Sequence, residues 1–190
     1  MPVKKKKKKK VAVPKKVYQI KVTLQGIRPP IWRRLEVTSD TKLSELHDII
    51  QTAMGWQDCH LHQFTVGNTY YGKPDRSSPF DDTKDERKVK LSKLLPKEKS
   101  KFAYEYDFGD SWEHEILLEK ILPMEEKEYP VCVKGKRACP PEDVGGVWGY
   151  ANLLGAIQDP DHPEHEEMQE WVEDDFDPEA FDLKDINEYL

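Results

Sequence analysis

Apolar and polar positions alternate through several stretches of the chain, and once, near its start, the spacing switches to that of a helix. Tyr18, Ile20, Val22 and Leu24 share one phase of residues 17–25, and Ile31, Leu35 and Val37 share one phase of residues 31–37. Side chains one residue apart in a strand face opposite sides, so each stretch reads as a strand with one apolar face, and the two should pair. Between them, Gly26-Ile27-Arg28-Pro29-Pro30 is a rigid connector, because its prolines fix φ and remove two donors. From Leu43 the apolar positions become Leu43, Leu46, Ile50, Ala53 and Met54. That is one face of a helix over 43–54, with Asp40 or Thr41 to cap it, Gly55 to end it and Trp56 folded back on its last turn. Strand, strand, helix is a β-grasp-like opening, an architectural analogy that carries no function.

The alternation returns downstream. Cys59 to Val66 reads as a strand with His60 and His62 on one side, Tyr70 and Tyr71 as a short strand, and Val89 to Leu95 as a short helix or turn ended by Pro96. Phe102, Tyr104 and Tyr106, then Trp112, His114, Ile116 and Leu118, mark the inner phases of a hairpin over 102–121. Residues 129–134 suit another strand, 135–146 a Pro- and Gly-rich loop, and 148–157, 163–173 and 182–190 helices. The fold class is therefore α+β: a mainly antiparallel mixed sheet with a β-grasp-like opening, covered by the first helix and by C-terminal helices.

Composition sets the bounds. A chain of 190 residues with 37% hydrophobic side chains suits one domain, placed at 17–190, with an acidic helical segment from about residue 159. Residues 1–16 form a lysine-rich tail expected to be disordered, because like charges repel. The net charge of −6 conceals nine lysines in that tail and fourteen acids against Lys184 alone over 159–190. An acidic body argues against a DNA-binding surface on the fold, which leaves nonspecific nucleic-acid contact to the tail. No apolar run approaches the roughly 20 residues needed to span a bilayer, and an odd count of three cysteines argues against a disulfide framework. A cytoplasmic protein with no membrane contact is expected.

The chemistry concentrates at the turn of the central hairpin. Asp107, Asp110, Glu113 and His114 place acids and a base within eight residues and are the candidate catalytic groups. The competing reading is a well-built hairpin, in which Asp and Gly serve the turn and the outer phase faces water. A divalent metal held by His60, His62, Asp107, Asp110 and His114 would require these side chains to converge, with Glu113 or Glu115 as a spare base. Arg33, in the inward phase of its strand, is a candidate anion contact, and Trp112, Glu142 and Asp143 are candidate binding residues on the hairpin and the loop.

Several segments together resemble the plasmid pRiA4b ORF-3-like family: Val22-Thr23-Leu24 with Arg28-Pro29-Pro30-Ile31-Trp32-Arg33-Arg34, Leu43-Ser44-Glu45-Leu46-His47, Gly55-Trp56, His60-Leu61-His62-Gln63-Phe64, Tyr106-Asp107-Phe108-Gly109-Asp110-Ser111-Trp112-Glu113-His114, and Cys139-Pro140-Pro141-Glu142-Asp143-Val144-Gly145-Gly146. The resemblance implies an α+β fold with an elaborated sheet, in a family whose function is uncharacterised. Some relatives carry the label of a transposon resolvase, TnpR. A recombinase needs an activated serine with supporting arginines, or an Arg, His, Arg, Tyr constellation on a basic surface, and this acidic chain offers neither. The expectation is a binding or adaptor module of a plasmid or mobile-element system, with an unknown protein or small molecule as its ligand. The alternative is a metal-dependent hydrolase or nuclease-like enzyme using the His/Asp cluster. Whether the chain is an enzyme stays open at this level. All four groups of polar residues, at 28–34, 60–62, 107–114 and 139–146, fall at strand ends or turns. At least three of them are expected to border one cleft lined by Trp32, Trp112 and Trp148.

Overall fold

The computed structural model describes residues 16–172 and 176–190. The lysine tail, apart from Lys16, lies outside the described residues. Strands β1 (Lys16–Leu24) and β2 (Trp32–Thr38) form the first antiparallel pair, with Ile20 opposite Leu35 and Tyr18 opposite Val37. Helix α1 (Leu43–Met54) follows, then β3 (His62–Val66), β4 (Thr69–Gly72) and the two-residue β5 (Lys84–Asp85). After a 3-10 turn (Glu86–Lys88) come α2 (Leu91–Leu94), β6 (Lys101–Tyr106), β7 (Trp112–Pro123) and β8 (Val131–Lys136). Helices α3 (Gly146–Gln158), α4 (His165–Val172) and α5 (Leu183–Tyr189) close the chain. Among the described residues eight strands make one sheet in the order β5-β4-β3-β6-β7-β1-β2-β8, in which only the β4–β5 pair is parallel. The class is α+β, mostly antiparallel.

The inner phases read from the sequence are the buried ones. Ile20, Val22 and Leu24 of β1, Leu35 and Val37 of β2, Tyr104 and Tyr106 of β6, and Trp112, Ile116 and Leu118 of β7 are all at most 1% exposed. Against that face α1 lays Leu43, Leu46, Ile50, Ala53 and Met54. Burial of each of the larger four, Leu43, Leu46, Ile50 and Met54, contributes about 1.5–3 kcal/mol of transfer free energy. Gly55 ends α1 in the left-handed conformation at φ 91°, and its N–H and that of Trp56 both return to the Gln51 carbonyl. The start differs from expectation. Lys42 is the N-cap residue, and its N–H donates to the Glu45 side chain at 2.8 Å, while Asp40 accepts from the Thr38 hydroxyl instead.

Two expectations about strands and aromatics are corrected. The third strand begins at His62, not Cys59, because Asp58 adopts φ 54° and the Cys59 N–H goes to the Tyr106 hydroxyl at 3.0 Å rather than to a neighbouring strand. His60 and His62 therefore do not share a strand face. The three tryptophans do not line one cleft either. Trp112 is wholly buried, Trp148 is 87% exposed, and Trp32 lies on the outer face of β2 beneath Arg34 and Lys21. Among the described residues no helix is long and apolar enough to cross a membrane.

Candidate functional site

Three segments meet at the end of the sheet where β6 turns into β7. The first, 57–61, joins α1 to β3. The Gln57 N–H donates to Glu142 Oε1 at 2.9 Å, the Asp58 N–H to the Gln51 side chain at 3.0 Å, and the Leu61 carbonyl accepts from the Asp107 N–H at 2.8 Å. The second is the hairpin tip. Asp107, at φ 56°, accepts the Gly109 N–H on Oδ1 at 2.9 Å, and its own carbonyl accepts from Ser111 at 2.6 Å. The third is the loop from 137 to 145. Its Gly145 N–H donates to Asp110 Oδ2 at 3.0 Å, and Gly146 packs so closely that a Cβ there would lie 2.5 Å from the Asp110 carbonyl oxygen. Trp56 underpins the junction. Its indole N–H donates to the Pro140 carbonyl at 3.0 Å, and its ring stacks on Tyr106 with centroids 5.1 Å apart.

These contacts set three carboxylates around one imidazole. Asp143 Oδ1 lies 3.0 Å from His60 Nε2, Asp107 Oδ2 3.7 Å and Glu142 Oε2 3.9 Å. Ligand atoms of His60, Asp107 and Asp143 all fall within 4.8 Å of one another. Tyr106 fixes Glu142 from below by donating its hydroxyl to Oε1 at 3.0 Å, and burial together with that carboxylate raises the phenol pKa, so it stays a donor. The arrangement can accept a cation, and it leaves Asp143 72% exposed at its mouth.

The residues expected at one site are thus divided. His60, Asp107 and Asp143 converge, and Glu142 lies beside His60. Asp110 adjoins them, with its carboxylate committed to the loop. His62 is withdrawn: its Nε2 pairs with Glu86 Oε2 at 2.8 Å, both side chains 2% exposed, and its ring stacks on His47 at 3.5 Å. His47 in turn bonds the Tyr104 hydroxyl and Asp58 Oδ1, each at 2.8 Å, and burial and His62 lower its pKa. His47, Asp58 and His62 are also close enough to share an ion. Stacked imidazoles, however, direct their lone pairs in parallel rather than to a common point, so this group braces the 57–61 segment from behind. His114 is corrected too: it is buried between the rings of Trp56 and Tyr104, on the core side of β7. Glu113 occupies the opposite face of β7, exposed. Arg33 is no anion contact, because its guanidinium donates to the carbonyls of Ala53, Trp32 and Lys136.

Sequence reasoning missed Asp58, Gln51 and the Tyr106 hydroxyl as the groups that hold the site. The one local signal was Asp58, since Asp tolerates the left-handed backbone better than most residues. A cavity of about 640 Å³ opens beside Arg33, Trp56, Cys139 and Phe181. Burial pushes the Cys139 thiol up to about 11, so it is a protonated packing group rather than a nucleophile.

Comparison with known proteins follows the fold closely. The family described as plasmid pRiA4b ORF-3-like protein matches residues 16–185. An uncharacterized protein, y4hQ, of Sinorhizobium fredii (strain NBRC 101917 / NGR234) is 39% identical over 173 residues, covering 90% of this chain and 89% of its own. The crystal structure of a protein of unknown function, MM3350, from Methanosarcina mazei Go1 superposes with a TM-score of 0.83 at 43% identity, over 91% of this chain and 98% of that one.

Proposed function

The chain belongs to the plasmid pRiA4b ORF-3-like family, and from that membership and the geometry of its hairpin tip we propose that it is a binding or adaptor module of a plasmid or mobile-element system. The carrying observation is the locked rim. Asp110 to Gly145 and Tyr106 to Glu142 fasten the hairpin tip to the 137–145 loop, so the two present one surface. That surface keeps large apolar side chains in water. Leu61 and Phe108, next in the chain to His60 and Asp107, are 67% and 50% exposed, and Trp148 sits on the first turn of α3. Exposed large apolar side chains in or next to the segments that form a polar hollow are the composition of a recognition surface. Hydrolysis at the same rim is the second reading, favoured by an imidazole set among three carboxylates, one of which would act as general base.

The test is differential capture from extracts of cells that carry the protein. The wild-type chain should retain a partner that Phe108→Ser with Trp148→Ser releases, and that Lys97→Glu, at the far end of the sheet, keeps. Equal recovery by all three chains would reject the recognition reading, and turnover of a phosphodiester or ester by the purified protein would favour the second.

A further inference from the structure

We propose that His60, Asp107 and Asp143, closed by Glu142, form a binding site for one divalent transition cation of the Mn²⁺ or Zn²⁺ class. The inference rests on reading the hairpin tip and loop as a recognition rim, to which the ion would supply both rigidity and an exchangeable coordination position.

The first observation is spacing. Donors on one ion at bonds of about 2.1 Å lie about 3 Å apart when adjacent and about 4.2 Å apart when opposite. The distances from His60 Nε2, at 3.0, 3.7 and 3.9 Å, fall in that interval. A second observation is independent of spacing. His60 Nε2 and Glu142 Oε2 are shielded from solvent, and neither has a hydrogen-bond partner among the described residues. Asp143 Oδ1 is only 3.0 Å from Nε2, yet outside hydrogen-bonding alignment. Buried polar atoms are ordinarily paired, so two adjacent ones without partners, beside a carboxylate, point to a missing positive centre. Asp107 adds to this. Its side chain is nine-tenths buried, and with Oδ1 held by the Gly109 N–H, Oδ2 is left facing His60.

Charge gives the same answer. Three carboxylates crowd around one imidazole, and among the described residues no lysine or arginine forms an ion pair with any of them. His60 Nε2 has no partner in hydrogen-bonding alignment among the described residues. A divalent ion would offset two of the three carboxylate charges and give His60, Asp107 and Asp143 a common partner, with Glu142 beside it. One nitrogen with carboxylate oxygens suits Mn²⁺ or Zn²⁺ better than Ca²⁺, which prefers oxygen alone. Cys59 is no thiolate ligand here, since its Sγ lies toward the Gln57 carbonyl.

Isothermal titration of the full chain, freed of metal with EDTA and dialysed, with MnCl₂ and ZnCl₂ should give one ion per chain. His60→Gln and Asp143→Asn should each weaken binding by at least about tenfold, while their melting temperatures in EDTA match the wild type. Absence of binding at 1 mM of either ion, or equal affinity in wild type and both variants, would overturn the site. Partner capture repeated in EDTA separates the two proposals. A partner still held by a chain that binds no ion removes the metal site alone, and ion binding in a chain whose Phe108 and Trp148 variants lose no partner removes the recognition reading alone.

Discussion

His114 lies between the rings of Trp56 and Tyr104 with neither nitrogen hydrogen-bonded among the described residues, and burial lowers its pKa to about 4 from the ordinary 6.5. The folded chain therefore holds it neutral where the unfolded chain takes up a proton. Its contribution is fully present above pH 6.5 and is lost as pH falls toward 4, a swing of about 3 kcal/mol. His47, also lowered by burial, acts in the same direction. We predict that the urea midpoint drops across this window and that His114→Phe, which keeps a ring there, flattens the drop. An unchanged slope in the variant would assign the acid sensitivity elsewhere. Arg33 is the converse case, a buried charge each of whose three nitrogens finds an acceptor, Nη2 on the Cys139 sulfur. It donates to Ala53, near the end of α1, at 2.8 Å and to carbonyls of β2 and β8, with its guanidinium 5.0 Å from the Phe181 ring centre. Lysine lacks the planar fork, so Arg33→Lys should cost about 2–3 kcal/mol in urea unfolding.

At the scale of elements, two glycines with the same left-handed backbone predict different outcomes. At Gly55, with φ 91°, an added Cβ would meet nothing within 4 Å, so Gly55→Ala should cost only its conformational term, about 1–2 kcal/mol. Gly146, at φ 68°, would drive a methyl group into the Asp110 carbonyl. Gly146→Ala should cost about 2–4 kcal/mol and should selectively speed amide exchange at the hairpin tip, whereas equal losses for the two variants would mean that the tip and loop are not tightly joined. The elements themselves were legible wherever one face is buried. Alternation gave β1, β2, β6 and β7 to within a residue or two, and 3.6-residue spacing gave α1 at both ends. The failures have a common cause. Cys59 to Leu61 alternates like a strand but is held by the Tyr106 hydroxyl and by Asp107, partners more than forty positions away. The pairing of His62 with Glu86 is equally silent in periodicity, and so is the burial of His114 against Trp56. Convergence of the tip with the 139–146 loop could be anticipated from their turn chemistry. Which of their acids face His60 could not, because left-handed residues at Asp107 and Asp143 set those directions.

For the whole molecule, an open eight-stranded sheet leaves two edges, and unpaired strand edges invite pairing with another chain. One edge is β5, only two residues long, whose Asp85 pairs with Arg87 and Lys88. Its shortness and charge protect it. The other edge, β8, is six residues long and is covered by α5. The cover is specific: Asn187 accepts the Cys132 N–H on Oδ1 at 2.8 Å and donates Nδ2 to the Cys132 carbonyl at 2.9 Å, so one side-chain amide substitutes for a neighbouring strand. Phe181, just before α5, stacks on Arg33 and fills the space that the missing side chain of Gly135 leaves. The acidic C-terminal segment thus stands where a ninth strand would pair. Replacing Asn187 with leucine keeps bulk and removes both bonds, which should cost about 1–3 kcal/mol and free the β8 edge. We expect Asn187→Leu to show a concentration-dependent rise in mass by light scattering, together with faster exchange of the Cys132 amide. Faster exchange with no change in mass would mean that the acidic surface alone repels a second copy. If neither quantity changes, α5 does not guard this edge.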